Sequence, residues 1–436
     1  MKLFRRKENV VKALFILSVG LIFLAAGTMA HADDVFCARQ ITDNGSGDFV
    51  PSLYNGTVAW QSDSDGDSDI YYWNGSETVQ VSNNIATDSN ASLYNGTIAW
   101  SGQADGDKDI YYWDGTSTTK ITHNTTADYI PSLHNGEITW YGSDGTDHEI
   151  YYWNGNSIAQ ITSNSTYDYK SKIHDGQITW YGNDDGDYEI YHWDGSITTQ
   201  VTMNSVKDVN PTISGGEITW QGQSSSGNHE IYYWDGTDIV QVTDTGVNAY
   251  YPKISNGEIA WYRSDGTDHE VFYWDGNSIE QVTNNDGHDY NVSIHNGEIA
   301  WQGYDGNDYE IFYARRASAW IRGALEELGL IGGYTEADIL QLADIYSTGT
   351  PGTFNVGSGE WTYLSGDLPG DTGGTTYDIG DSWEYDGSYY LKLGSGYGFT
   401  DSGGGGAEPA PELPMGMTQM MVLGLGGVLA RFRRRA

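Results

Sequence analysis

Apolar and polar positions alternate over short runs that recur down most of the chain. Residues 49–54, 57–61, 70–73 and 78–82 are four such runs, each rich in β-branched or aromatic residues and bounded by Gly, Asn or Asp. A period of two is typical of β-strands, whereas helices need apolar positions 3.6 residues apart. The pattern therefore predicts a four-stranded antiparallel meander.

A tryptophan in the second run of every copy measures the repeat. It occurs after Ala or Thr at seven positions about 40 residues apart: Trp60, Trp100, Trp140, Trp180, Trp220, Trp261 and Trp301. A repeat of this length corresponds to one four-stranded propeller blade. The sequence therefore predicts seven blades.

The ends of the repeat region predict how the ring closes. A Gln-Ile-Thr type of motif marks the fourth run; its first copy, residues 40–42, precedes the first complete repeat, and the last repeat ends near residue 314 without one. We expect residues 38–42 to complete blade seven beside residues 309–314, because closure leaves no open sheet edge. The predicted fold class is all-β: a seven-bladed β-propeller closed by an N-terminal strand, with a small helical and β C-terminal extension.

The third run of each copy is apolar or aromatic at successive positions, so both faces of that strand should be covered. Stacked blades supply this cover. We therefore interpret the 16 Trp and 33 Tyr mainly as packing between blades, and a ligand-stacking platform is the alternative.

These residues resemble the TolB-type β-propeller repeat. The similar segments are Pro51, Asn55-Gly56, Val58-Ala59-Trp60, Asp65-Gly66, Asp69-Ile70-Tyr71 and Val81-Ser82. The resemblance covers about residues 35–316 and implies a propeller. Trp replaces the family's Phe, Asn-Gly often replaces Asp-Gly, and seven copies stand where TolB has six blades. Function does not follow, because such repeats occur in binding modules, peptidases and lyases.

Residues 1–32 are typical of a secretory signal peptide. A basic start precedes an apolar core from Ala13 to Ala26 and a small-residue cleavage site that ends at Ala32. An uncleaved membrane anchor is the alternative, although the apolar run is short for a span. The protein is therefore expected to be exported.

After the repeats, residues 317–346 predict a helical segment and residues 351–400 predict Gly- and aromatic-rich β-hairpins. Residues 401–414 read as a flexible linker. Residues 415–436 combine an apolar run with an arginine cluster, and Pro-Glu-Leu-Pro (411–414) precedes them. This order resembles a PEP-CTERM sorting tail, which implies an exosortase-like processing enzyme; a plain anchor is the alternative.

The formal net charge of −39 disfavours nucleic acid and anionic lipid as partners and favours cations or a basic partner. Membrane contact is expected only through the tail. Cys37 is the only cysteine, so an internal disulfide is excluded. We expect a monomer in the periplasm, on the outer surface or in the extracellular matrix of a Gram-negative bacterium.

Acidic residues recur twelve positions before the repeat tryptophans. They are Asp48, Asp88, Asp128, Asp168, Asp208 and Asp289, and Ala249 interrupts the series. Each could cap its own loop by accepting backbone N–H bonds. The alternative is an acidic ring at the mouth of the central channel, which would attract a cation.

The loops between the second and third strands are also acidic, so one face of the disc should carry much of the charge. In the first repeat, alternating carboxylates flank a glycine as in a calcium loop: Asp63, Asp65, Asp67 and Asp69. The bidentate glutamate expected downstream is missing. Calcium binding and ordinary Asp-Gly turns therefore both stay open, and no other cofactor is indicated.

The sequence shows no zinc spacing among its ten histidines and no Gly-x-Ser-x-Gly motif. The repeats are nearly uniform; the main irregularities are a triple-serine loop at 224–226 and Lys170 with Lys172. Uniformity favours a non-enzymatic binding or scaffolding module that presents its acidic face to a protein or polysaccharide. The alternative is an extracellular polysaccharide lyase or hydrolase with a metal in the channel.

Overall fold

The computed structural model describes residues 34–327 except 65, 105, 184 and 185, and then 331–348, 352–356, 359–363, 382–385 and 388–391. Residues 36–316 form one compact unit, and residues 34–35 belong with the segment after 316 to a second. The predicted signal peptide (1–32), linker (401–414) and sorting tail (415–436) lie outside the described residues. No helix among the described residues is long and apolar enough to cross a membrane.

Seven four-stranded antiparallel sheets make up the first unit, so the predicted seven-bladed β-propeller is confirmed. Blade one contains β2 (Asp48–Tyr54), β3 (Thr57–Ser62), β4 (Asp69–Trp73) and β5 (Thr78–Gln80). Blade two contains β6 (Asp88–Tyr94), β7 (Thr97–Gly102), β8 (Asp109–Trp113) and β9 (Thr118–Lys120). Blade three contains β10 (Asp128–His134), β11 (Glu137–Ser143), β12 (His148–Trp153) and β13 (Ile158–Gln160).

The later blades repeat this order. Blade four contains β14 (Asp168–His174), β15 (Gln177–Gly182), β16 (Glu189–Trp193) and β17 (Thr198–Gln200). Blade five contains β18 (Asp208–Ser214), β19 (Glu217–Gln223), β20 (His229–Trp234) and β21 (Ile239–Gln241). Blade six contains β22 (Ala249–Ser255), β23 (Glu258–Ser264), β24 (His269–Trp274) and β25 (Ile279–Gln281).

Blade seven is assembled from both ends of the repeat region. It contains β26 (Asp289–His295), β27 (Glu298–Tyr304), β28 (Tyr309–Arg316) and the N-terminal β1 (Phe36–Gln40). β1 pairs antiparallel with β28, from Phe36 opposite Arg316 to Gln40 opposite Phe312. The predicted closure is confirmed, with the strand beginning two residues earlier than expected.

The two kinds of Gly turn differ. Between first and second strands both central residues have positive φ, as in Asn55 (45°) and Gly56 (70°), which is the type I′ geometry that the sequence predicts. In the turns between the third and fourth strands, only the glycine has a positive φ, as Gly75 does at 103°. There a four-residue turn forms, in which the Asn74 side chain accepts the N–H groups of Ser76 and Glu77.

The seven repeat tryptophans are at most 2% exposed, which confirms their packing role. Each indole stacks on an aromatic ring of its own third strand, with ring centroids 5.7–6.2 Å apart and planes inclined by 14–21°. The buried apolar residues form separate clusters, each between two neighbouring blades, rather than one central core.

The second unit includes α1 (Ala317–Glu327), a short 3₁₀ helix (Ile331–Gly333) and α2 (Glu336–Thr348), so two short helices follow the last propeller strand as predicted. Thr335 and Asp338 form a reciprocal cap at the start of α2. β29 (Gly352–Val356) pairs with β30 (Gly359–Tyr363), and β31 (Ser382–Tyr385) pairs with β32 (Ser388–Leu391).

Candidate functional site

The two faces of the propeller are defined by strand direction. Asp48 pairs with Ser62, and Ser62 with Asp69, at one end of blade one, whereas Tyr54 pairs with Thr57 at the other. We call the first end the loop face, because it carries the loops before the first strands and between the second and third strands. The other end, with the Gly turns, is the turn face.

The six aspartates predicted as a channel-mouth ring lie inside the blades instead. Asp48, Asp88, Asp128, Asp168, Asp208 and Asp289 are only 0–3% exposed. In five blades the carboxylate accepts the indole N–H of the repeat tryptophan at 2.9–3.0 Å. In all six it accepts an Asn side-chain amide at 2.6–3.0 Å. They are buried acceptors for Trp and Asn side chains and do not form an open ring at the channel mouth.

A second row of carboxylates is buried beside the first. The last acid of each second-to-third loop is at most 1% exposed: Asp69, Asp109, Glu149, Glu189, Glu230, Glu270 and Glu310. Four of them accept a hydrogen bond from the hydroxyl that ends the outer-strand motif: Ser82 Oγ donates to Asp69 Oδ1 at 2.9 Å, and Thr122, Thr243 and Thr283 donate to Asp109, Glu230 and Glu270. The acidic loops therefore place part of their charge in blade interfaces and not on the surface.

Carboxylates of neighbouring blades meet at these interfaces. Burial and the Asp289 charge raise the pKa of Glu270, and burial raises the pKa of Asp289. Glu310 and Asp48 form a similar contact, and burial with that neighbouring charge raises the pKa of Glu310. Burial likewise raises the pKa of Asp128 and of Asp208 to about 6. Two carboxylates in one dry interface favour a shared proton.

This arrangement predicts an unusual dependence of stability on pH. A carboxyl pKa that folding raises above 4.5 favours the folded state while protonated, and that stability is lost as the pH rises through the folded pKa. Glu270→Gln should therefore gain stability relative to the unmutated protein between pH 5 and pH 9, measured by urea unfolding. Asp289→Asn should give the same trend, and a difference independent of pH for both variants would contradict the shared proton.

Blade six lacks this aspartate and has an arginine beside the vacant position. Ala249 takes the aspartate position, and its cross-strand partner is Arg263 where five other blades have glycine. A Cβ on Gly222 of blade five would lie 2.4 Å from Asp208 Oδ1, so a side chain there would displace the carboxylate, whereas blade one accommodates Ser62 opposite Asp48. In blade six the Arg263 guanidinium interacts with the Glu230 carboxylate and lies 4.0 Å from the Phe272 ring.

Calcium binding in blade one stays a prediction. Asp63 is exposed, Asp65 lies outside the described residues, and Asp69 is bound to Ser82 and Gln80. Among the described residues, carboxylates within 4.8 Å of one another occur instead in blades three, six and seven: Asp144, Asp147 and Glu149; Asp265, Asp268 and Glu270; and Asp43, Asp305 and Glu310.

Two groups of aromatic side chains occupy the loop face. The blade three–four cluster comprises Tyr129, Tyr141, His148, Tyr167, Tyr169, Tyr181 and Tyr188. The blade six–seven cluster comprises Tyr250, Tyr262, His269, His288, Tyr290, Tyr304 and Tyr309. Tyr167 is 46% exposed and Tyr304 42%, so each cluster presents rings to solvent.

A cavity of about 340 Å³ lies on the propeller axis, lined by the middles of all seven first strands. At each strand a β-bulge places one lining residue at positive φ: Val50, Asn90, Ile130, Lys170, Asn210, Tyr251 and Asn291, at 46–59°. Such φ values are strained for β-branched residues, as in Val50 and Ile130. Side chains of the preceding blade hold the bulges, as Gln302 Oε1 does for the Val50 N–H at 3.1 Å.

The cavity is cationic. Its lining contains Lys170, Lys172 and Lys253 and, among the described residues, no carboxylate. Lys170 Nζ donates to Asn210 Oδ1 at 2.8 Å and lies 4.9 Å from the Tyr251 ring centroid. Burial and the neighbouring lysines lower the pKa of Lys172 to about 8 and that of Lys253 to about 7. The sequence shows Lys170 and Lys172 as irregularities but not Lys253, because only the bulged register shows that all three face one cavity.

On the turn face, five rings form a continuous series around the axis. His295, Tyr54, Tyr94, His134 and His174 lie with neighbouring centroids 4.1–4.6 Å apart. His134 Nδ1 accepts the Asp175 N–H, and His174 Nδ1 accepts the Gly215 N–H. His134, His174 and Asp175 lie close enough to share a metal, but the Nδ1 atoms that face the Asp175 carboxylate at 3.4 and 3.6 Å already accept these N–H groups. The series is a contact between blades.

Comparisons with known proteins agree on the architecture. No protein-family model and no curated protein sequence matches the chain. Among solved structures, the β-propeller domain of the Trilobed protease from Pyrococcus furiosus is similar at a TM-score of 0.50 and 12% identity, over 63% of this chain and 94% of that one. An oligogalacturonate lyase in complex with manganese is similar at 0.50 and 9% identity, over 66% and 92% of the two chains.

A protein provisionally called TolB from Agrobacterium tumefaciens is also similar, at a TM-score of 0.39 and 15% identity, over 54% of this chain and 94% of that one. TolB-like and other propellers are thus among the structural neighbours. At such identities the similarities show the fold alone. The chain is a seven-bladed β-propeller.

Proposed function

We propose that this propeller is a binding module that holds a polysaccharide on the aromatic clusters of its loop face. The main support is the exposure of Tyr167 and Tyr304, each of which lies at the edge of a group of packed rings. Sugar rings have apolar faces that stack on tyrosine, and their hydroxyls need acceptors. Exposed loop carboxylates such as Asp63 and Asp305 supply acceptors on the same face.

The arrangement of charges supports binding over metal-dependent cleavage in the channel. The six predicted channel-mouth aspartates are engaged with Trp and Asn side chains inside the blades. The described cavity lining offers lysines rather than the carboxylates and imidazoles that hold a catalytic cation. These observations favour a module that presents a surface.

We also propose that the module acts outside the cytoplasm. Residues 1–32 have the order of basic, apolar and small residues of a secretory signal, and residues 411–436 have the order of a sorting or anchoring tail. A polysaccharide of the cell surface or matrix would be accessible to a propeller exported in this way.

Glycan-array screening of the purified protein tests the proposal. A polysaccharide ligand should bind the unmutated protein, and Tyr167→Ala or Tyr304→Ala should weaken that binding about tenfold, or about 1.4 kcal/mol. Both side chains are substantially exposed, so the melting temperature should change little.

Ile197→Ala is the matched control, because Ile197 is 64% exposed in a turn of the turn face. It should leave glycan binding unchanged. Equal losses in all three variants, or binding of proteins but no glycan, would contradict a polysaccharide platform at the aromatic clusters.

A further inference from the structure

Lys172 and Lys253 replace residues that join blades. In the other five blades, the first-strand position equivalent to Lys172 and Lys253 is occupied by Ser52, Ser92, Ser132, Thr212 and Ser293. Four of these residues are serines, and the hydroxyl of each accepts a backbone N–H of the next blade at 2.9–3.3 Å. They are Ser52, Ser92, Ser132 and Ser293. Lys172 and Lys253 have no hydroxyl to make this contact, so they interrupt the regular pattern of bonds between blades.

The charges of these lysines are not balanced within the cavity. Lys170 contacts Asn210 and Tyr251, which are both neutral. No acidic side chain is part of the described lining, although the whole chain carries a formal charge of −39. Like charges in a concave, partly buried space repel, and either loss of a proton or a bound anion relieves that repulsion.

We propose that the central cavity is an anion-binding site in which Lys170, Lys172 and Lys253 hold the oxyanion group of a small ligand, such as a carboxylate, sulfate or phosphate. A volume of about 340 Å³ suits a small organic acid, since ligand pockets range from roughly 300 to 1,000 Å³. Asn90, Asn210 and Asn291 line the same cavity and offer amide groups to the rest of the ligand. This site is distinct from the aromatic clusters and does not depend on the polysaccharide proposal.

The test compares the full-length protein with Lys172→Ser, Lys253→Ser and the double variant. Serine is chosen because it occupies the equivalent position in four of the other blades. Melting temperatures and calorimetric affinities are measured with sodium sulfate and sodium glucuronate, against sodium chloride at equal ionic strength and against glucose. Sulfate represents an inorganic oxyanion and glucuronate a carboxylate on a sugar. Lys207→Ser is the matched control, because Lys207 is exposed and lies outside the cavity lining.

We expect at least one of the two anions to raise the melting temperature of the unmutated protein beyond the chloride reference. Each lysine substitution should weaken that anion's binding by about tenfold or more, since hydrogen bonds to charged groups contribute roughly that much. Without anion, the double variant should melt at a higher temperature than the unmutated protein, because repulsion is removed and the serine contacts are restored. Lys207→Ser should behave as the unmutated protein.

Binding should also weaken as the pH rises from 6 to 9. The pKa of Lys253 is about 7 and that of Lys172 about 8 without ligand, so these two side chains lose their charge over this range. An equal anion effect in the unmutated protein and the double variant would overturn the proposal. So would the lack of any effect of sulfate and glucuronate beyond chloride and glucose at pH 6.

Discussion

Deletion of residues 33–44 should lower the melting temperature by several degrees or prevent folding. The segment supplies the fourth strand of blade seven, where Phe36 and Cys37 are each only 3% exposed. It also ends in residues that bind β28. Ile41 N–H donates to the Ile311 carbonyl at 2.7 Å, and Thr42 Oγ1 accepts the Ile311 N–H at 2.8 Å.

The expected loss is large because several terms act together. Removal of a buried Phe side chain alone costs about 3–5 kcal/mol. The deletion also exposes the edge of β28 and leaves the buried Glu310 without its Asn44 N–H donor. About 1 kcal/mol corresponds to roughly 2–4 °C for domains of about 150–250 residues and to less for a larger one, so a decrease of several degrees or more is expected.

Circular dichroism melting curves of the full chain and the deletion variant provide the measurement. A peptide of residues 34–44 added in trans should restore part of the lost stability, because strand pairing needs no covalent link. A scrambled peptide of the same composition should not. An unchanged melting curve would show that the ring does not depend on this strand.

The architecture was predictable because its signals are local. Each blade carries its own turn residues, such as Asn55-Gly56, and its own tryptophan, so the 40-residue period alone fixes strand count and order. The displaced copy of the outer-strand motif at residues 40–42 then indicates which strand closes the ring. None of these inferences needs the direction of a particular side chain.

The site was less predictable because it depends on side-chain direction. A bulge between residues 49 and 52 interrupts the two-residue period of β2, and its equivalent recurs in every first strand. Simple alternation therefore cannot show which residues face the axis. The aspartates turn inward to the tryptophans, and Lys253 turns to the cavity. The bulge could not be predicted at Val50 and Ile130, because β-branched residues seldom adopt the positive φ that it requires.

The bond between tryptophan and aspartate gives the second large expected effect. Trp220→Phe removes the indole N–H that Asp208 accepts at 2.9 Å, in a site where Asp208 is 3% exposed. The variant should lose packing volume and also leave a buried carboxylate with fewer donors. We expect destabilisation of about 3–5 kcal/mol in urea unfolding at pH 7.5, of which ~1.5–3 kcal/mol comes from the charged hydrogen bond.

Trp261→Phe is the matched control within the same chain. Trp261 is fully buried and stacks on Phe272, but Ala249 occupies the aspartate position and the Trp261 indole nitrogen has no hydrogen-bond partner among the described residues. The same truncation there should cost only the packing contribution. The difference between the two variants therefore isolates the hydrogen bond, and equal losses would show that the aspartates contribute nothing through the indoles.

The same comparison has a pH dependence with a definite sign. Burial raises the pKa of Asp208 to about 6, whereas the Trp220 bond lowers it, so the Phe variant should have a still higher pKa at this site. A raised carboxyl pKa stabilises the protonated folded form, and this stability is lost as the pH rises. The excess destabilisation of Trp220→Phe over Trp261→Phe should therefore shrink as the pH falls from 7.5 to 5. A constant difference across that range would mean that Asp208 stays ionised in both proteins and that its Asn204 bond alone satisfies the carboxylate.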